Sequence, residues 1–153
     1  MSLKLTDDLL TGYELIDIQH KDWLTHFDML WQGVTNKSSA AQLIEILTLL
    51  DNSVAIHFAD EEKLQAELSY PCYEIQRRQH ESYRAEIKHL METLEADKSE
   101  TISSYTLHSM RDWILNHIKV MDKAMVEYCL ATGKCKLPAI KNTADKPNYT
   151  RKR

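Results

Sequence analysis

Residues 39–68, SAAQLIEILTLLDNSVAIHFADEEKLQAEL, space their apolar and chemically active side chains in alternating steps of four and three. Leu43, Leu47, Leu50, Val54, His57, Glu61, Leu64 and Leu68 fall on one stripe, the seam of a helix packed in a bundle. Ser39-x-x-Gln42 forms a capping box that gives the helix a defined start. Upstream, Ile16, His20, Trp23, Phe27, Leu30 and Val34 keep the same rhythm. Downstream, Pro71 suits the first turn of a third helix with the seam Tyr73, Gln76, His80, Tyr83, Ile87, Leu90 and Leu94. A fourth helix, starting near Ser99, presents a wide apolar face that includes Thr106, Met110, Trp113, Ile114, His117, Ile118, Met121, Met125 and Tyr128, and Gly133 suits its C-terminal cap.

The links between these stretches, about residues 35–38, 69–70 and 95–98, are short, which makes neighbouring helices antiparallel. The expected fold is therefore all-α: an up-down-up-down antiparallel four-helix bundle over residues 15–132, with an N-terminal arm over 1–14 and an extended basic tail over 133–153. Composition agrees. Three glycines and three prolines in 153 residues are far fewer than the roughly 12 % usual in proteins, which disfavours a turn-rich β fold. No apolar run approaches the roughly 18 residues of a membrane span, and the first ten residues lack a signal-peptide core, so the cytoplasm is the expected address. The three cysteines, Cys72, Cys129 and Cys135, lack CxxC spacing and are read as free thiols. From Gly133 onward seven basic residues face one acid, a net +6, so the overall −4 conceals a body at −10. Such a body is a poor nucleic-acid surface.

Each of the four seams carries a histidine: His20, His57, His80 and His117. One imidazole in an apolar stripe is ordinarily a hydrogen-bonded core residue, but four on four helices, with Glu61 and Asp122 on the same faces, call for a common partner. A cation that neutralises the carboxylates and takes the imidazole lone pairs is the simplest one. Imidazole and carboxylate without thiolate suit iron, manganese or zinc, and six donors exceed what one tetrahedral zinc would use. The His57-x-x-x-Glu61 interval places both groups on one face a turn apart, which favours a dinuclear site.

The run Gly12-Tyr-Glu-Leu-Ile-Asp17-Ile-Gln-His20-Lys21, the block His57-Phe58-x-x-Glu61-Glu62, the Tyr70-Pro71 pair and Trp113-x-x-x-His117-Ile118-x-x-x-Asp122 together resemble the bacterial hemerythrins, oxygen-binding non-haem di-iron bundles, over roughly residues 11–131. The resemblance implies two non-haem iron ions with an oxo or hydroxo bridge. By it, His20 and His57 hold the ion that takes up dioxygen, Glu61 and Asp122 bridge, His80 and His117 hold the second ion, and Ile114 helps to wall the ligand pocket. The ferritin-like di-iron bundles use a pair of Glu-x-x-His motifs, whereas this chain has a single such interval, Glu86-x-x-His89, off the seam of its helix.

One position departs from the pattern. Where the family has a histidine four residues before His80, this chain has Gln76, and His89 is too far along the helix to replace it. Three consequences stay open: Gln76 ligates through its side-chain oxygen, it hydrogen-bonds a water in that position, or the second site stays empty or fills only partly. The remaining histidines, His26, His89 and His108, fall at or beyond the margins of the seams, and Glu62 points about 100° from Glu61 and is read as surface. No acid or base stands apart from the ligand set, so the expected function is reversible binding of dioxygen, or of a similar small diatomic or anion, rather than catalysis. The alternatives are a di-iron oxidase or a centre reacting with peroxide or nitric oxide, and an iron-buffering bundle.

Overall fold

The apolar stripes meet in a computed structural model that describes residues 3–134. Three rods are single helices, α1 (Glu14–Thr35), α2 (Ala40–Leu68) and α3 (Tyr73–Ala96). The fourth is built from α4 (Ser104–Asn116), a π-helical segment (His117–Asp122) and α5 (Lys123–Thr132), which follow one another without a break. The expected all-α four-helix bundle is thus the fold adopted. Residues 135–153, most of the expected basic tail, lie outside the described residues.

The capping box at Ser39 forms as read: its hydroxyl accepts from the Gln42 N–H at 3.2 Å, and the Gln42 carboxamide oxygen accepts from the Ser39 N–H at 2.9 Å. Two other starts shift. Pro71 lies in a turn closed by Tyr73 N–H to the Tyr70 carbonyl, and the first helical bond runs from Gln76 N–H to the Cys72 carbonyl, so α3 begins after the proline. The fourth rod begins at Ser103, whose hydroxyl caps Thr106, instead of near Ser99. There Asp97 accepts from the Ser99 N–H and hydroxyl, a local turn that competes with helix, and the buried Ile102 then plugs the bundle end. At the other end Asp17, fully buried, accepts from the Thr11 N–H and hydroxyl and from the Gly12 N–H. Gly12 permits this hook because its φ is +87°.

Buried apolar residues form two clusters. The larger contains Trp23, Phe27, Leu47, Leu50, Phe58, Tyr83, Ile87, Ile114 and Ile118 among others; the smaller holds Ile16, Leu68, Tyr70, Met125, Val126 and Cys129. α1, α2 and the fourth rod contribute to both clusters, whereas α3 contributes Tyr83, Ile87 and Leu94 to the larger one, and the polar seam residues occupy the layer between the clusters. Cys72 is a free thiol, whereas Cys129 is disulfide-bonded, which corrects the free-thiol expectation for that residue.

Candidate metal centre

His20, His57, Glu61, Gln76, His80, His117 and Asp122 are all at most 2 % exposed. The structure brings the four imidazoles and two carboxylates into one layer. Asp122 divides its oxygens: Oδ2 lies 2.5 Å from His20 Nε2 and 3.3 Å from His57 Nε2, while Oδ1 lies 2.9 Å from His117 Nε2. Glu61 Oε2 lies 3.4 Å from both His57 Nε2 and His80 Nε2, and 3.5 Å from His117 Nε2. Donor atoms of His57, Glu61, His117 and Asp122 all fall within 4.8 Å of one another.

The interval from His117 to Asp122 is five residues, which in an α-helix turns the two side chains about 140° apart. The π-helical segment absorbs the difference, since an i→i+5 turn returns both to the same face. It also moves the inward face beyond it, so that Val126 and Cys129 are buried with Met125, whereas Met121 and Tyr128, expected on the apolar face, are half-buried.

Two imidazoles are oriented from behind. His57 Nδ1 donates to Gln19 Oε1 at 3.0 Å, and Gln19 in turn donates to Asp60 at 2.6 Å. His80 Nδ1 donates to Glu62 Oε1 at 2.9 Å, so Glu62, read as surface, is half-buried and holds a ring of the centre. A proton fixed on Nδ1 leaves the Nε2 lone pair directed into the layer. Phe58 stacks on His80 with ring centroids 3.9 Å apart, and Trp113 stacks on His117 at 4.9 Å. Ile114 is completely buried one turn before His117. His26 pairs with Ser53 and His108 with the Ser104 carbonyl, both away from the layer.

Gln76 does not stand alone. Its Oε1 accepts from the Nε2 of Gln65, a fully buried residue that also donates to Glu61 Oε1 at 3.2 Å. The sequence reading missed Gln65 because it stepped from Glu61 to Leu64, preferring leucine to glutamine. A step of four from Glu61 reaches Gln65 and keeps the rhythm to Leu68.

Electrostatics show what the layer lacks. Burial works against a charged imidazole at both His20 and His117. At His20 it prevails over Asp122 and lowers the pKa, whereas at His117 the Asp122 and Glu61 carboxyls close beside the ring push it up to about 10. Burial also opposes ionisation of Asp122, but the His117 charge and the neighbouring Glu61 and His20 groups hold its carboxyl well below the usual value. Without a cation, protons alone must balance two buried carboxylates. They do so poorly: His80 Nε2, His117 Nε2, Glu61 Oε2 and Asp122 Oδ1 have no hydrogen-bond partner, although all lie within 3.5 Å of an oppositely polar atom of the layer. Four orphaned donor atoms converging on the same space fit metal ions of an imidazole–carboxylate preference.

Comparison with known proteins agrees with this chemistry. The family model "Hemerythrin HHE cation binding domain" matches residues 11–129. A bacteriohemerythrin of Stenotrophomonas maltophilia is 32 % identical over 122 residues, covering 79 % of this chain and 77 % of that one. A myohemerythrin of Sipunculus nudus is 28 % identical over 114 residues, covering 72 % and 79 %. A crystal structure of a hemerythrin point mutant superposes with a TM-score of 0.74 at 22 % identity, covering 84 % of this chain and 98 % of that one, a likeness of fold. With a helix bundle whose histidines and carboxylates converge on one buried layer, and with a family model that matches residues 11–129, the chain belongs to the hemerythrin family.

Proposed function

We propose that this chain binds dioxygen, for storage, delivery or sensing, at a di-iron centre held by His20, His57, Glu61, His80, His117 and Asp122. The observation that carries the reading is the division of Asp122, one oxygen toward His20 and His57 and the other toward His117, as a carboxylate shared between two ions requires. When bound, a di-iron pair supplies the two electrons that dioxygen needs in order to bind as a reduced ligand. The protein's part is to fix and shield. Gln19 and Glu62 orient His57 and His80, Trp113 and Phe58 hold the imidazole planes, and Ile114 walls the pocket on the fourth rod. Water exclusion by Trp23, Ile114 and Ile118, all fully buried, keeps a bound small molecule from hydrolytic loss. The division into arm, bundle and tail belongs to the same proposal, as does the cytoplasmic address. The structure itself shows that no described helix is long and apolar enough to cross a membrane.

The test is metal analysis with visible spectroscopy after aerobic purification. Two irons per chain and a charge-transfer band that changes with azide and reverses on deoxygenation are expected. Colourless protein carrying only zinc would overturn the proposal. Gln76 favours one second reading, in which the centre consumes oxygen, peroxide or nitric oxide. Stopped-flow mixing of the reduced protein with oxygen separates the two, since irreversible oxidation belongs to turnover.

A further inference from the structure

The Gln65–Gln76 pair carries an inference that rests on the di-iron reading and deepens it. The Gln65 Nε2 donates to Glu61 Oε1 at 3.2 Å, and a carboxylate oxygen that is to serve a metal offers Gln65 only an acceptor. That fixes the orientation of Gln65, and with it that of Gln76, which must turn its oxygen toward the same Gln65 nitrogen. An amide offers a cation only its oxygen. The Gln76 oxygen is committed to Gln65, while the Gln76 Nε2 is buried with no partner.

We propose that Gln76 is not a metal donor: with Gln65 it forms an amide relay from Glu61 that leaves an exchangeable position beside His80 and His117, and the free Gln76 Nε2–H₂ selects a small anion or other hydrogen-bond acceptor for that position. Three features of the layer combine here. Gln76 sits one turn before His80, on the same face of α3. His80 and His117 supply only two imidazoles to their side of the layer. The unpaired amide is fully buried, so an acceptor that meets it gains the hydrogen bond that the fold leaves unmade. Gln65 is a positioning residue, acting through Gln76 and Glu61.

The experiment loads the metal-free full chain with cobalt(II), whose d–d absorption reports coordination number, and titrates it with azide. The unaltered chain is expected to take two metal ions and two azides. Gln76→His should take one azide fewer and bind the second metal about 10 to 100-fold more tightly. Gln76→Leu should hold the second metal about as well as the unaltered chain but bind the corresponding azide less tightly. Gln65→Leu should weaken the same azide, and the double variant should be no worse than either single one, since the two amides act as a unit. A loss of about tenfold or more in second-metal affinity in Gln76→Leu would make Gln76 a ligand and overturn the proposal. Additive effects of the two leucines on azide, or none, would overturn it as well. If circular dichroism shows that Gln76→Leu does not fold, Gln76→Met replaces it with the same two readouts. Failure of the unaltered chain to bind cobalt(II) or iron(II) at all would instead sink the di-iron reading, so the two failures are distinguishable.

Discussion

A single glutamine on α1 illustrates how the centre depends on side chains that never face it. Gln19 accepts the Nδ1 proton of His57 and is itself held by Asp60, so it fixes which imidazole nitrogen is free. Gln19→Leu, which keeps the bulk and removes the acceptor, is expected to weaken metal binding at the His20/His57 side about 10 to 100-fold, measured by calorimetric titration of the metal-free chain. Glu62 does for His80 what Gln19 does for His57. Neither role was legible in the sequence. Both residues sit off the apolar stripe, and periodicity finds the residues that a seam buries, not the neighbours that reach in from its margin. The four histidines, Glu61 and Asp122 were legible because each replaces an apolar residue at a position the rhythm requires. Gln65 was hidden by the opposite effect: Leu64 beside it looked the better core residue.

At the level of elements, the helices were readable and their ends less so. The Ser39 cap has a sequence signature and formed as expected, whereas the fourth rod starts later because the Asp97–Ser99 turn takes the backbone first. The π-helical segment had no signature in the periodicity, since one extra residue in a turn leaves apolar residues on both sides still spaced in threes and fours. Its role can be tested by changing chain length. Alanine inserted after the exposed Val120 adds about 100° of rotation beyond what a widened turn has already absorbed, and should swing Asp122 away from the imidazoles. Metal analysis should show loss of binding, with a lowered Tm because Met125 and Val126 leave the core. Deleting Val120 resets the interval from His117 to the aspartate to four residues, an ordinary α-turn, and should retain both metal and helical circular dichroism.

For the molecule as a whole, stability without metal depends on how well protons substitute for ions. His117, raised to about 10, contributes stability that is fully present below its usual 6.5 and is lost as the pH rises through about 10. Asp122, held below its usual 3.8, contributes stability that is present above 3.8 and is lost as the pH falls through its lowered value. From these two groups, urea unfolding of the metal-free chain should therefore be most resistant between the two usual values, 3.8 and 6.5, and decline on both sides. Asp122→Asn should flatten both flanks, because it removes the partner of each shift. The arrangement of the two apolar clusters carries a further consequence. A polar layer between them means that the smaller one, built around Ile16, Leu68, Tyr70 and Met125, is joined to the rest of the bundle through buried imidazoles and carboxylates that a shared cation would draw together further. Ions bound as proposed would thus act as a rivet between two halves of one core, and their loss would let that end of the bundle breathe as a separate cooperative unit while the larger half stays closed.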